Sequence, residues 1–377
     1  MEPIRILHLL HGMNRGGAEN AIMNYYRHID RQLIQFDFLV TADEKCDFDD
    51  EILSMGGRIY KIPSLKLSQI FDYIKAVISF FQSHKEYKII HSHTSSKSVI
   101  PLFIAKRLGV PVRLCHSHAT EYGKGIRGLE QRILKPFLKK VSTERCACGE
   151  KAAIWLYGRS AYKKGEILLL KNVIEARKHD YNPLIRKEFR EKYDIEDDVL
   201  VIGHTARFNW IKNHAFDLHL LTYLKHKAIR AKLLWVGDGE LRKVLEEQAG
   251  QMDLLDDVIF TGLVNNVSDY EQMMDAFILP SFNEGLPVSV IEAQVSGLQC
   301  FVTDTIDKSC DVTGNVHFLS LKMGAEKWGE EILNYSSMGR ISQMDKVSKE
   351  GYNAEVSALN LQNYYIQQFK KYATTNK

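Results

Sequence analysis

Short apolar runs alternate along the whole chain with stretches in which apolar residues recur at helical spacing. In the first half, runs rich in β-branched residues predict strands at 4–10, 36–40, 58–62, 88–92, 112–117 and 166–170. In the second half the same pattern predicts strands at 199–205, 232–236, 258–260, 277–280, 299–303 and 316–319. Helical periodicity appears near 18–29, 68–82, 97–108, 212–227, 240–250, 287–296 and 354–371. Strands that alternate with helices favour parallel sheets covered by helices on both faces, so the pattern predicts an α/β fold.

The alternation pauses between residues 171 and 193. Asn172, Asn182 and Pro183 interrupt the periodic pattern there, and it resumes with an apolar run at 199–204. Because residues of this kind favour turns and loops, the pause predicts a boundary between two domains.

Two Rossmann-like, doubly wound domains facing a cleft are therefore expected. Residues 1–172 would form the first domain and residues 173–353 the second, and a length of 377 residues is comfortable for two domains. The last predicted helix, about 354–372, has no strand after it and is expected to pack back on the first domain.

Composition excludes several classes of protein. A hydrophobic content of 45% and a charged content of 26% are ordinary globular values. A net charge of +3, with scattered aromatic and lysine residues, indicates no nucleic-acid partner. The six cysteines show no regular spacing and are expected to be buried, reduced thiols. With no signal-peptide pattern and no long apolar run, a cytoplasmic location is expected.

The segment from Ser281 to Gly297 is the richest in candidate chemistry. Pro287 suits the first position of the predicted helix, which places the amides of Gly285 and Leu286 at or just before its N-terminus. Such a terminus binds anions. Glu284 in the loop and Glu292 inside the helix could accept hydrogen bonds from sugar hydroxyls on either side of a diphosphate. The layout fits a nucleotide-sugar, although acidic residues near helix ends often serve for capping alone.

The loop from His11 to Glu19 leads from the first strand into a helix. Gly16 and Gly17 allow a ligand to approach the backbone at the helix start. The pattern is not GxGxxG, so a dinucleotide site is not expected. A tight turn without a ligand is the alternative.

Two loops of the second half carry further candidates. Arg207 and Lys212 follow the first strand of that half and could neutralise a diphosphate, the alternative being an ordinary pair of solvated cations. The loop from Phe260 to Val264 could present backbone groups to a nucleotide base.

Two His-x-His pairs end predicted strands. In His91-Ser-His93 and His116-Ser-His118 the two imidazoles share one face of the strand, so either pair could hold a metal. No set of Asp, Glu or Cys at metal spacing lies nearby. Polar residues lining a cleft at strand ends are therefore expected, and no metal.

The chain resembles retaining glycosyltransferases of family 4, which have the two-domain GT-B architecture. The resemblance spans essentially the whole chain, and its markers occur in the order that the family has. The segments Met13 to Glu19, Gln35 to Phe38 and Ser289 to Asp304 are similar to enzymes that build bacterial capsular and exopolysaccharide repeat units.

The resemblance implies four catalytic residues. Arg207 and Lys212 would hold the donor diphosphate and stabilise the leaving group, and Glu284 would contact hydroxyls of the transferred hexose. One histidine would lie near the reacting face of the sugar, and His118 is favoured over His116.

The remaining implied residues bind the donor. Gly16 and Gly17 would approach its distal phosphate and the acceptor, and the backbone of Leu263 or Val264 would meet the base. The helix-end amides of Gly285 and Leu286 would contact phosphate, and the carboxylate of Glu292 would bind the ribose.

The resemblance also implies an activity. A hexosyl unit would pass from a nucleotide-sugar, expected to be UDP-linked, to a glycan or lipid-linked acceptor with retention of configuration and without a metal or cofactor. Two alternatives stay open. One is a GT-B nucleotide-sugar 2-epimerase, and the other is a non-catalytic nucleotide-sugar-binding partner of another transferase.

Contact with the inner face of the cell membrane is a further expectation if the acceptor is lipid-linked. The segment from Tyr122 to Arg127 and on to Lys139 and Lys140 combines basic and aromatic residues. An ordinary solvated helix is the alternative.

The chain departs from the family pattern at three places. Ala206 stands where a glycine is common before the arginine, Gln299 replaces a common proline, and the turn between the domains contains Asn172-Val-Ile-Glu175. None of these changes removes a charge that the chemistry needs.

Overall fold

The computed structural model describes residues 2–120, 123, 125–335 and 338–375, and the chain divides into two compact units. Unit 1 comprises Met1–Val173 and Ala354–Lys377, and unit 2 comprises Ile174–Asn353. Each unit is built on one parallel sheet with buried apolar residues on both faces. The predicted α/β fold of two Rossmann-like domains is confirmed.

Seven parallel strands form the sheet of unit 1, in the order β3-β2-β1-β4-β5-β6-β7. In chain order they are β1 (Ile4–Leu10), β2 (Ile34–Val40), β3 (Ile59–Lys61), β4 (Ile89–Ser92), β5 (Val112–Ser117), β6 (Glu144–Ala147) and β7 (Leu168–Leu169). The helices are α1 (Gly17–His28), α2 (Asp49–Ser54), α3 (Ile70–Ser83), α4 (Val99–Arg107), α5 (Ile126–Leu134), α6 (Leu138–Val141), α7 (Glu150–Tyr157) and α8 (Arg159–Lys163). Ile6 and Leu10 of β1 enter one apolar core while Leu7 and Leu9 enter another, as in strands buried on both faces.

Six parallel strands form the sheet of unit 2, in the order β10-β9-β8-β11-β12-β13. They are β8 (Leu200–Thr205), β9 (Ala231–Val236), β10 (Val258–Phe260), β11 (Ala276–Leu279), β12 (Gln299–Thr303) and β13 (Val316–Leu319). The helices are α9 (Pro183–Lys192), α10 (His214–His226), α11 (Arg242–Gln251), α12 (Val267–Met273), α13 (Val288–Val295), α14 (Gly324–Tyr335) and α15 (Met344–Lys349).

The last helix, α16 (Ala354–Thr375), belongs to unit 1 and packs along α1. Leu361 and Tyr365 join the core that β1 and β2 form, and the side-chain oxygen of Gln362 accepts a hydrogen bond of 2.8 Å from the amide of Asp30. Across the described ranges, no helix is both long and apolar enough to cross a membrane. All six cysteines are free thiols, five of them buried.

The strand order reverses once in each sheet, between β1 and β4 in unit 1 and between β8 and β11 in unit 2. Chain connections leave in opposite directions at such a point, which opens a crevice at the carboxyl ends of the strands. The loops of greatest chemical interest should therefore follow these four strands.

Several details of the structure differ from the sequence prediction, and three of them concern the strands of unit 1 and the predicted pause. β6 is missed, because it has only four residues and begins with Glu144 and Arg145. The strand predicted at 166–170 is reduced to Leu168–Leu169. The predicted pause contains α9, because the Asn182 side chain accepts hydrogen bonds from the first turn and Pro183 occupies its first position.

Candidate functional site

Two neighbouring loops of unit 2 carry most of the predicted charged residues. Strands β8 and β11 are paired, so the loops that follow them leave the sheet at the same edge. Two hydrogen bonds join these loops: the amide of Phe282 donates to Ile211 O at 2.8 Å, and Asn213 Nδ2 donates to Pro280 O at 3.0 Å. The two loops are thus held against each other before any ligand is considered.

Lys212 and Glu284 meet across these loops. The Lys212 ammonium lies 2.5 Å from Glu284 Oε1, and the two side chains are 20% and 13% exposed. Asn209 orients the lysine by accepting a hydrogen bond of 3.2 Å from its amide. The structure therefore brings together a cation and a carboxylate that lie 72 residues apart in the sequence.

Arg207 points elsewhere. Its side chain is 74% exposed and its Nε lies 3.3 Å from a carboxylate oxygen of Glu240. The arginine thus stands in the same loop as Lys212 while pairing with a different carboxylate. As a solvated side chain on a long stem, it remains free to reorient toward an anion.

A Gly-x-Gly turn after β9 fixes the backbone around Arg207. Gly237 has a φ of +141°, and a Cβ there would lie 2.1 Å from the carbonyl oxygen of Ala206. A Cβ on Gly239 would lie 2.4 Å from Phe208 O. The amide of Phe208 also donates to Asp238 O at 2.9 Å. The sequence showed only a strand, a glycine turn and a helix start here, and the two glycines were the signal for this close approach.

The helix end predicted as an anion site is open. Helix α13 begins at Val288, so Pro287 is the residue before its first turn and not, as predicted, the first helical residue. Within the described part of the chain, neither Gly285 nor Leu286 uses its amide in a hydrogen bond. A Cβ on Gly285 would meet no atom within 4 Å. Two backbone donors are therefore unused just ahead of a helix N-terminus, where an anion would be favoured.

Glu292 has a charged neighbour that the sequence did not reveal. His179 donates to Glu271 Oε2 at 2.6 Å through Nδ1, and its Nε2 lies 3.8 Å from Glu292 Oε1. Burial lowers the pKa of His179, but the two carboxylates outweigh it and raise the pKa to about 9. Burial raises the pKa of Glu292, while His179 opposes that shift. His179 was missed because it lies in the interrupted segment ahead of Asn182, without a motif around it.

Leu263 and Val264 follow β10, the edge strand of the unit 2 sheet. The Leu263 side chain is 79% exposed, whereas Val264 packs against the apolar core. These two residues thus lie in a different loop from the other donor-site candidates. Lys212 and Glu284 lie in the loops that follow the central strands β8 and β11.

The predicted residues of unit 1 flank a cavity of about 590 Å³. Gly16 is the N-cap of α1 and Gly17 is its first residue. Glu19 lines the cavity, and its carboxylate occupies the space that a Cβ on Gly16 would need. His118 also lines this cavity, and burial lowers its pKa to about 4. His116 lies deeper and accepts or donates a 3.2 Å hydrogen bond with His91.

Comparisons with known proteins point to sugar transfer. Residues 185–332 match the family model described as glycosyl transferases group 1. The chain is 38% identical to EpsF of Bacillus subtilis (strain 168), a protein named as a glycosyltransferase, over 96% of each chain. It is 26% identical to the capsular polysaccharide biosynthesis glycosyltransferase CapH of Staphylococcus aureus, over 77% of this chain and 78% of CapH. The solved structure of Anabaena HepE in complex with UDP and glucose shares the fold, with a TM-score of 0.70 at 16% identity over 99% of this chain and 100% of HepE.

Replacing Gly239 with alanine should destabilise unit 2. The new methyl group would overlap the backbone of Phe208, and such overpacking costs about 1–3 kcal/mol. Gly250→Ala is the matched control: it lies in α11 with no atom within 4 Å of its Cβ position, and should stabilise by up to about 1 kcal/mol. Thermal unfolding of both variants tests this, and an unchanged melting temperature for Gly239→Ala would show that the close approach is wrong.

His179 should make the protein less stable at alkaline pH. Its folded pKa of about 9 is above the ordinary 6.5, so the stabilisation is complete below pH 6.5 and is lost as the pH rises through 9. The shift corresponds to about 3 kcal/mol at most. We expect His179→Gln to lower the melting temperature near neutral pH and to approach the wild type as the pH rises through 9.

The control for this pH series is His226→Gln, which changes an exposed histidine of α10. It should follow the wild-type curve at every pH. A constant gap between wild type and His179→Gln across the whole range would contradict the raised pKa.

Proposed function

Because the chain belongs to the family of glycosyl transferases group 1, we propose that it transfers a hexosyl unit from a UDP-sugar with retention of anomeric configuration. The acceptor is a glycan or lipid-linked intermediate of a bacterial surface polysaccharide. Two named proteins support these choices: CapH acts in capsular polysaccharide biosynthesis, and HepE binds UDP and glucose.

The observation that carries the proposal is the contact between Lys212 and Glu284 beside the free amides of Gly285 and Leu286. A nucleotide-sugar needs cations for its diphosphate and acceptors for its sugar hydroxyls. The four groups supply both from two neighbouring loops, which follow β8 and β11. When the donor binds, the Lys212 ammonium exchanges the carboxylate for phosphate, and Glu284 is released to accept from the hexose.

In this mechanism the chain's own charges stabilise the leaving group. Bond cleavage at the anomeric carbon places negative charge on the distal phosphate, and fixed cations and amides are most effective where charge develops. Arg207 and Lys212 provide the cations, and the start of α13 provides the amides. The acceptor hydroxyl attacks from the face that the phosphate leaves, which retains the configuration, and the phosphate takes its proton. Transfer so stabilised requires no metal ion and no cofactor.

Glu292 and the loop of unit 2 that holds Leu263 and Val264 complete the donor site in this proposal. Glu292 accepts from the ribose hydroxyls, and protonated His179 beside it opposes the rise in the pKa of Glu292 that burial causes. The backbone of Leu263 or Val264 meets the base. In unit 1, His118 lines the cavity in which the acceptor binds, and Gly16 and Gly17 directly precede Ala18 and Glu19 of its lining.

Replacing Lys212 with alanine should lower kcat about 100-fold, because a preorganised charge on the leaving group is lost. Glu284→Gln keeps the shape but weakens the bond to the sugar hydroxyl, so it should lower the rate as well. Lys225→Ala is the matched control, since it breaks another lysine–carboxylate contact of unit 2, 2.7 Å to Asp257. It should leave the rate unchanged.

The assay follows UDP release from a panel of UDP-sugars with and without acceptor. Transfer at the wild-type rate by Lys212→Ala would contradict the role proposed for Lys212 in stabilising the leaving group. Release of UDP or of a rearranged sugar without acceptor would favour a 2-epimerase, and thermal protection by the donor without any turnover would favour a binding partner.

We further propose that unit 1 binds the membrane surface through α5 and the turn after it. Leu129, Ile133 and Phe137 recur at intervals of four residues and are 59%, 57% and 49% exposed. A cavity of about 460 Å³ beside them is lined by the cations Arg132, Lys135, Lys139 and Lys164. Apolar side chains flanked by cations are typical of segments that lie in the interface of an anionic bilayer.

Part of the predicted basic and aromatic segment cannot be placed in this surface. Tyr122 and Lys124 lie outside the described residues, and the side chains of Ile126 and Arg127 are likewise not described. The proposal rests on the segment from Leu129 to Lys140.

Leu129→Asp should weaken binding to vesicles that contain phosphatidylglycerol at least about tenfold, because one apolar side chain no longer enters the bilayer. Leu184→Asp is the control, a leucine of α9 in unit 2 that is 77% exposed. Vesicle flotation at low and high salt measures both. Failure of the wild type to bind anionic vesicles, or equal weakening by the two variants, would reject this surface.

A further inference from the structure

Five histidines gather on one face of the unit 1 sheet. They lie on three adjacent strands or just beyond them: His8 on β1, His91 and His93 at the end of β4, and His116 and His118 at the end of β5. His8 and His91 are register partners. Because side chains two residues apart on a strand share a face, each His-x-His pair presents both rings to the same side.

The ring nitrogens approach one another closely. His93 Nε2 lies 3.0 Å from His8 Nδ1, and His93 Nδ1 lies 3.0 Å from His118 Nε2. His91 Nε2 lies 3.2 Å from His116 Nδ1. Two nitrogens at 2.0–2.1 Å from a tetrahedral zinc ion are about 3.3 Å apart, close to these separations. The ligand atoms of His93, His116 and His118 all lie within 4.8 Å of one another.

Hydrogen bonds alone leave this cluster unsatisfied. A neutral imidazole has one donor and one acceptor nitrogen, and each needs a partner when it is buried. Within the described ranges, His8 Nε2 and His118 Nδ1 are buried without a hydrogen-bond partner. Neutral imidazole is also the form that binds metals.

From this arrangement we infer that His93, His116 and His118 bind one divalent transition-metal ion of the zinc class. Imidazole ligands suit zinc, cobalt, nickel and copper, whereas magnesium and calcium prefer oxygen ligands. Three protein ligands leave a fourth position for water or another ligand. Each His-x-His pair was a metal candidate in the sequence, but neither was expected to bind one, because the sequence does not show that the two pairs stand on adjacent strands.

A second group of three, the inner trio of His8, His91 and His93, also has its ligand atoms close together. The outer trio of His93, His116 and His118 is favoured because an ion can reach it. His93 and His118 line the cavity of about 590 Å³ as well as the smaller space among the five rings. His8 and His91 are almost fully buried, at 1% and 2% exposure. A binding site for a free ion requires such an entry path.

A bound ion would also affect transfer, and this consequence rests on the proposed function. His118 is the imidazole placed near the reacting sugar, so an ion on that ring blocks it. Zinc should therefore inhibit the enzyme, and a chelator should restore it, while the metal-stripped protein transfers sugar at the full rate.

The binding test uses the full-length, tag-free protein after chelator treatment and dialysis. Titration with Co²⁺ should give the visible absorption of a tetrahedral nitrogen site, and calorimetry with Zn²⁺ should give one equivalent. Neither readout depends on activity, so a failed proposal for sugar transfer and a failed metal site can be told apart.

Three variants identify the ligands. His118→Gln should weaken Zn²⁺ binding at least about 100-fold, more than the loss of a supporting contact would. His8→Phe removes a member of the inner trio of His8, His91 and His93 but no ligand of the proposed site, so it should largely retain binding, and the exposed control His226→Gln should retain it in full. Circular dichroism of each metal-free variant checks that it is folded. The cobalt spectrum of the wild-type protein tests for a metal site even if a variant does not fold.

Absence of stoichiometric binding by the wild type would overturn the inference. Binding that survives His118→Gln but is lost in His8→Phe would overturn the assigned trio in favour of the inner one. Binding unaffected by either change would place the ion elsewhere on the chain.

Discussion

The donor side of the proposed site depends on the 2.5 Å contact between Lys212 and Glu284. The contact exists because β8 and β11 are hydrogen-bonded neighbours whose loops leave the sheet at one edge. Those loops are also tied together by the hydrogen bonds from the Phe282 amide to Ile211 O and from Asn213 Nδ2 to Pro280 O. Removing either partner would leave a largely buried charge uncompensated, which is costly. A diphosphate can replace the carboxylate without that cost, since it brings its own negative charge to the same ammonium.

Histidine behaves oppositely in the two units, and its neighbours decide the outcome. His179 is buried between Glu271 and Glu292, whose charges raise its pKa above the ordinary value despite desolvation. His91 and His116 are buried among other imidazoles, and both burial and those neighbours lower their pKa. In unit 2 the carboxylates favour the protonated form of His179. In unit 1 burial and the neighbouring imidazoles favour neutral rings, whose nitrogens can hydrogen-bond to one another or bind a metal.

Much of the fold follows from hydrophobic periodicity alone, because parallel strands buried on both faces are continuous apolar runs. Strands β1, β5, β10 and β12 have the predicted bounds, whereas β6 escapes because half of its residues are charged. The candidate loops were visible because glycine, proline and charge cluster after strands. Contacts between the loops could not be predicted from the sequence. The pairing of Lys212 with Glu284 and the position of His179 both depend on tertiary packing between residues at least 72 positions apart.

The departures from the family pattern are each accommodated by local contacts. Gln299 Oε1 accepts a 2.8 Å hydrogen bond from His317 Nε2 on the neighbouring strand β13, so the Gln299 side chain is held at the sheet. Val173 is buried, and its carbonyl accepts from Asn24 at 2.8 Å. Ala206 tolerates a methyl group because the close approach to the next loop is made by its carbonyl oxygen, against Gly237. The requirement for glycine at this approach therefore falls on Gly237, and the methyl group of Ala206 takes no part in it.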